Sequence, residues 1–297
     1  MTNALPVDRP IVCFGEILWD LLPTGALPGG APMNVAYHLH NLGLQPKLIT
    51  RLGSDERGDE LVAILHEKNI DTSFVQVDPA IPTGVVHATP DSNGDMRYVF
   101  AEDSAWDHIT VIPSLLRLVE ESAYFIYGSL VARHPGSRSA LFELLEHANE
   151  KVLDINLRAP HYNRDTLEAL ISKADLLKMN EEELELISGW YGNAADLEGQ
   201  VNLVRGKFGI DSVLVTRGAD GAVVCYKGEW ATHPGFRVQV QDTVGSGDSF
   251  LAGFLYSVTG GKTLDQSLAF ACSLGSFVAT RKGAWPAYSI SDLAVSG

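Results

Sequence analysis

Residues 242–250 read Asp-Thr-Val-Gly-Ser-Gly-Asp-Ser-Phe, a glycine-rich turn with a carboxylate, Asp248, set inside it. Phe250, Leu251, Phe254, Leu255 and Val258 follow at helical spacing, so Gly245, Ser246 and Gly247 stand at a helix N-terminus. Backbone N–H groups there lack helical partners and the dipole end is positive, which favours an anion. Glycines let that anion approach the backbone. Asp248 is then a negative charge placed where an anion should bind, unless it only favours the helix start, where Asp is common. The turn is neither a Walker loop nor a dinucleotide fingerprint. No GxxxxGK[ST] occurs, and Phe250 stands where GxGxxG needs its third glycine.

Three further stretches combine polar groups with an element boundary. Gly29 to Asn34, GGAPMN, opens a helix, although a Gly-Gly pair before a helix is usually just a turn. Asp154 to Arg158, DINLR, ends a strand, and strand C-termini are where α/β proteins bind ligands. Asn180 to Glu183, NEEE, follows another strand and starts a helix, where acidic residues also serve the dipole. The nine histidines form no metal-binding spacing, since His38 and His40 face different sides of a helix and HExxH is absent. GxSxG is absent too.

These residues need a scaffold, and the chain alternates β-rich runs with amphipathic helical patterns. Ile11–Ile17 reads as a strand. A helix follows with Pro32 in its first turn, Val35, Leu39 and Leu42 on one face, and Gly43 at its stop. The alternation continues to two long C-terminal helices, which implies parallel βαβ units and a layered α/β sandwich. Gly84–Phe100 departs from it, with two β-like runs around an Asn-Gly, a hairpin signal that suggests a flap over the site. Gly221–Val240 reads as a second hairpin at the sheet edge. The 297 residues, 45% hydrophobic and without repeats or linkers, read as one domain, 1–297.

A net charge of −15 with no dense Lys/Arg cluster sets nucleic-acid binding aside. Any anionic ligand must be held by local dipoles, a few cations or a metal. Cys13, Cys225 and Cys272 are odd in number and far apart, which argues against disulfides and zinc. No apolar stretch approaches the ~20 residues of a membrane span, so a cytoplasmic protein is expected, with no membrane partner.

In order, Gly15-Glu16 with Asp20, GGAPMNVAYHLHNLG, DINLR, NEEE, VTRGADG and DTVGSGDSF make the chain similar to the ribokinase/pfkB family of sugar kinases over nearly its whole length. GEILWDLLP, GGAPMN and DINLR most resemble bacterial fructokinases. The resemblance implies a ribokinase-like three-layer α/β/α sandwich, with a mostly parallel central sheet and a small β lid from about 18–30 and 84–106. It implies ATP-dependent phosphoryl transfer to a primary hydroxyl of a hexose, D-fructose to fructose 6-phosphate first. 2-Keto-3-deoxygluconate, ribose or a nucleoside as substrate, or an inactive sugar-binding sensor, stay as alternatives. Asp248 takes the family's general-base position, and Gly245, Ser246 and Gly247 its anion hole. Asp20, Gly30 and Asn34 match sugar-contacting positions. Arg97 on the flap can reach sugar or phosphate, and Asp154, Asn156 and Arg158 match a motif near both. On the ATP side stand Asn180, Thr216, Gly218 and Gly283. Glu183 belongs to the Mg²⁺ shell through water, and Asp242, Val244 and Ala279 to a monovalent-cation site, K⁺ being the candidate. The implied partners are a sugar and ATP, with a homodimer left open. The chain departs from the family pattern in Ser246, where Ala is usual, and in a short Asp20–Gly29 segment. Cys272 is expected only to pack.

Overall fold

A strand buried on both faces must be apolar throughout, and IVCF, YFIYG and SVLVT meet that condition. In a computed structural model, which describes residues 9–23, 25–90 and 96–293 and the side chains of these except 88–90 and 96–98, they lie inside a nine-stranded sheet. The N-terminal half contains β1 (Ile11–Phe14), β2 (Leu18–Leu22), β3 (Gly25–Gly29), α1 (Ala31–Asn41), β4 (Pro46–Gly53), α2 (Glu56–Glu67), β5 (Val75–Asp78), β6 (Gly84–Pro90), β7 (Met96–Phe100), α3 (Pro113–Glu121) and β8 (Tyr124–Gly128). Then come α4 (Pro135–Leu145), β9 (Glu150–Asp154), α5 (Arg164–Ile171), β10 (Leu176–Asn180), α6 (Glu181–Ser188), α7 (Leu197–Phe208) and β11 (Ser212–Thr216). The chain closes with β12 (Ala222–Tyr226), β13 (Glu229–His233), α8 (Ser246–Thr259) and α9 (Leu264–Ala279).

The strand order is β13-β12-β11-β10-β9-β8-β1-β4-β5. The pairs from β5 to β11 are parallel, while β11–β12 and β12–β13 are antiparallel. Alternation along each strand sends side chains to two cores. Ile11 and Cys13 of β1 and Tyr124 and Ile126 of β8 join the core under α1, α2, α8 and α9. Val12, Phe14, Phe125 and Tyr127 join the core under α3 to α7. The result is the expected helix–sheet–helix sandwich. The parallel strands deliver their C-terminal ends, Phe14, Gly128, Asp154, Asn180 and Thr216, to one rim.

A second sheet, β3-β2-β6-β7, takes up the segments expected to form a lid. Trp19, next to Asp20 on β2, anchors its root by donating Nε1–H to the Arg57 carbonyl at 3.0 Å. The Asn-Gly turn expected at its tip and the side chain of Arg97 fall outside the described residues; the backbone of Arg97 pairs with Thr89. The hairpin expected over 221–240 is shorter. It turns at Lys227-Gly228, both at positive φ, and ends at His233, because Pro234 has no N–H for the ladder. Residues 235–238 and Val240 are left to line a cavity.

Candidate functional site

The GSGD turn forms as its glycines dictate. Gly245 is the N-cap of α8 at φ +75°. A Cβ there would lie 2.5 Å from that of Ala284, so a side chain at 245 conflicts with both backbone and packing. The N–H groups of the first α8 turn face the rim, and Asp248 sits one turn in, 8% exposed. Its Oδ2 accepts a 2.7 Å hydrogen bond from Nδ2 of Asn34. Residues 214 positions apart, each singled out by a separate motif, are thus in direct contact. The other Asp248 oxygen has no hydrogen bond among the described residues.

Asn34 is fixed from its other end. Its Oδ1 accepts from Trp285 Nε1 at 2.7 Å, and α1 clamps that C-terminal loop at two more places. Tyr37 donates to the Pro286 carbonyl at 2.9 Å and stacks on Trp285. The ring of His38 bridges the Ala284 carbonyl, 2.9 Å from Nε2, and the Tyr288 hydroxyl, 3.0 Å from Nδ1. Burial holds His38 down to about 4, so it serves as a neutral strut. At the start of the same helix, Gly30 has φ +116° and a Cβ there would strike the Glu16 carbonyl.

On the other side of Asp248 stands a buried ion pair. Lys178 Nζ donates to both oxygens of Asp154, at 2.9 and 2.7 Å. Burial alone would lower the lysine, but Asp154, then Asp248 and Glu183, raise it. Burial raises Asp154, and Lys178 opposes it; the two-pronged contact holds the two side chains together. A Cβ on Gly247 would lie 2.9 Å from Lys178 Nζ, so the ammonium lies directly under the glycine turn. No motif in the sequence marks Lys178. Its signal was a lone lysine inside the apolar strand DLLKMN.

Four carboxylates gather at the rim. Burial raises Asp248, and Lys178, Asn34 and Arg158 oppose it. Burial pushes Asp20 up to about 6, against the charge of Arg158 and helped by Asp242. Burial pushes Glu16 to about 7, although its own backbone and the Ala31 N–H donate to it. Its Oε2 has no partner among the described residues, and its letter in the sequence carries no signal of that. Arg158 is exposed yet acts on Glu16, Asp20 and Asp248 alike, as the charge a crowd of carboxylates requires.

NEEE and DINLR meet through Glu183. Asn180 and Glu183 form a capping box, and the other Glu183 oxygen accepts from Leu157 N–H at 2.7 Å. Asn156 lies beside it at φ +39°. Each Glu183 oxygen accepts one backbone N–H, which fixes the carboxylate and leaves a lone pair on each oxygen for a metal or its water. Asp242 accepts from Val244 N–H and Gly283 N–H. The Ala279 carbonyl accepts from the N–H of both Gln241 and Asp242, which fills its two lone pairs. Ala279 therefore ties the loop together and does not fit as a cation ligand; the free capacity is on Asp242 and the Val244 carbonyl.

A cavity of about 540 Å³ begins at Ser246 and Gly247 and runs past the C-terminal end of β11. Thr216 and Gly218 line it; Asn180 and Gly283 do not. Phe236, Val238, Val240 and Phe250 make much of its wall apolar, which suits a planar base with polar groups at one end. Cys272, expected only to pack, is part of this wall.

The family described as pfkB family carbohydrate kinase matches residues 24–289. Fructokinase-2 of Solanum lycopersicum is 30% identical over 306 residues, covering 93% of this chain and 92% of that protein. The structure of a fructokinase from Xylella fastidiosa with bound ATP is similar at a TM-score of 0.81 and 25% identity, covering 93% of this chain and 94% of that one. A fructokinase from Vibrio cholerae O395, bound to fructose, ADP and calcium ion, is similar at 0.81 and 25%, covering 95% and 96%.

Proposed function

The chain belongs to the pfkB family of carbohydrate kinases, and from that premise we propose that it transfers the γ-phosphoryl group of ATP to the primary hydroxyl at C6 of D-fructose. The observation that carries the reading is the Asn34–Asp248 contact at the N-terminus of α8. In this reading the contact joins the base, Asp248, to a sugar-orienting amide, Asn34, beside the anion hole of residues 245–247. The relatives named above act on, or hold, fructose and adenine nucleotides.

In this reading the hexose lies under the second sheet, with Asp20 and Asn34 taking adjacent hydroxyls. The C6 hydroxyl faces the unpaired oxygen of Asp248. Burial raises the proton affinity of that carboxylate, the direction a general base needs. As the oxygen attacks phosphorus, its proton passes to Asp248 and the bond to the β-phosphate oxygen breaks, leaving ADP. Charge on the moving phosphoryl group meets the N–H groups of residues 245–247 and the ammonium of Lys178. These donors are fixed before reaction, so no reorganisation is needed. The base and ribose occupy the cavity along Thr216 and Gly218. Glu183 would hold Mg²⁺ through water, which would supply neutralisation of phosphate charge, and Asp242 and Val244 would hold K⁺. Residues 1–297 act as one kinase unit with 18–30 and 84–106 as its lid, working in the cytoplasm, where ATP is supplied.

The test is ADP release coupled to an optical assay, across fructose, glucose, ribose, 2-keto-3-deoxygluconate and nucleosides. Fructose is expected to give the highest kcat/KM. Absence of Mg·ATP turnover with every acceptor overturns the kinase reading. A better acceptor than fructose overturns only the choice of sugar.

A further inference from the structure

A second cavity, about 270 Å³, opens between the N-terminal ends of α4 and α5, on the face opposite α1 and α8. Neither Asp20, Asn34, Asp154, Arg158 nor Asp248 lines it. Its lining carries two arginines and two histidines, Arg133, His134, Arg138 and His161, in a chain of net charge −15. The hydroxyls of Ser129 and Thr166 add donors, and the one carboxylate, Glu102, is solvent-exposed.

Arg133 is built in. Its side chain is 7% exposed, Nε and Nη2 hold Asp107 at 2.8 and 2.6 Å, and Nη2 also reaches the Ala101 carbonyl. The guanidinium lies 4.2 Å over the Trp106 ring. Its Nη1 is buried with no partner among the described residues, which is costly for a charged donor group. Arg138, half-buried one turn along α4, is in no ion pair among the described residues. Donors thus approach from the turn after β8, from α4 and from the loop after β9. A carboxylate has two coplanar oxygens, whereas a tetrahedral phosphate presents oxygens in all three directions. The volume exceeds what a few ordered waters fill.

We propose that this cavity binds a phosphate group, either inorganic phosphate or that of a small phosphomonoester, at a site separate from the reacting groups. Occupancy bears on the sugar site through one short link. The His161 N–H donates to the Arg158 carbonyl at 2.7 Å, so a ligand drawn against His161 presses on the loop that carries Arg158.

The test is calorimetric titration with inorganic phosphate and, separately, fructose 6-phosphate. The full-length protein is first saturated with fructose and a non-hydrolysable ATP analogue. One equivalent is expected to bind. Arg138→Ala is expected to weaken it at least about tenfold, the loss of one charged hydrogen bond, and His161→Ala to weaken it as well. Asp248→Asn is expected to leave it unchanged. Equal affinity for the two ligands identifies free phosphate as sufficient, and tighter binding of the ester identifies a phosphorylated metabolite. Heat from neither ligand, binding abolished by filling the sugar and nucleotide sites, or binding indifferent to both substitutions overturns the proposal. The readout needs no turnover, so its failure leaves the kinase reading standing.

Discussion

Asp248 divides its two oxygens between tasks. One is held by Asn34 and sets the carboxylate's direction; the other is open. Asp248→Asn keeps shape and volume but cannot take a proton. Turnover is expected to fall at least ~10²-fold, with nucleotide binding and thermal midpoint little changed; unimpaired kcat would remove Asp248 from the chemistry. The raised carboxylates also fix a pH limb. As pH falls through about 6, Asp20 protonates, so kcat/KM declines on the acid side. The wild-type limb is expected near pH 6 and is expected to be lost from that position in Asp20→Asn, read from log kcat/KM against pH; a flat wild-type profile to pH 5 contradicts this. Lys178 is tested apart from folding by pairing substitutions. Lys178→Met strands Asp154 in the interior and is expected to cost about 3–5 kcal/mol in urea unfolding. Adding Asp154→Leu should restore most of that stability but not the activity, if the ammonium serves the phosphoryl group. Activity returning with stability would make the lysine structural.

The elements were legible in the sequence where local pattern and burial agree. Helix α1 runs to Asn41, with Pro32 in its first turn and Gly43 at φ +86° just past its end, as its residues demand. The sandwich followed from alternation alone. The hidden part was long-range: nothing local to Trp285 says that it will reach Asn34, and nothing local to Lys178 says that a glycine turn will sit on it. Glu16 was visible as a letter, but only tertiary burial gives it an orphaned oxygen. The loop after α9 shows how such contacts matter. Trp285→Phe preserves the stack on Tyr37 and deletes the N–H to Asn34. The amide is then free to turn, leaving Asp248 misdirected. A loss of roughly tenfold in kcat/KM, the worth of one hydrogen bond of about 1.4 kcal/mol, is expected from steady-state kinetics. A wild-type value would show that Asn34 is held adequately from elsewhere.

Across the whole molecule, the cluster that serves chemistry works against folding. Glu16, Asp20, Asp154 and Asp248 are all carboxylates whose burial raises their proton affinity in the folded state. A raised folded pKa means that the native state binds its proton more tightly than the unfolded chain. The stability so gained is complete below the unfolded value and is lost as pH rises through the folded one. For Glu16 that window runs from 4.5 to about 7. Above it the native state confines an ion with one oxygen unpartnered, compensated only by the Ala31 N–H, its own backbone and the distant charge of Arg158. Glu16→Gln keeps an acceptor for Ala31 and cannot ionise. Its stability relative to wild type should therefore improve with pH, by about 1.4 kcal/mol per unit inside the window, and level off beyond about 7. Urea midpoints of the two proteins between pH 5.5 and 8 give the difference directly. A difference independent of pH would mean that Glu16 titrates alike in both states and that the folded protein hydrates it.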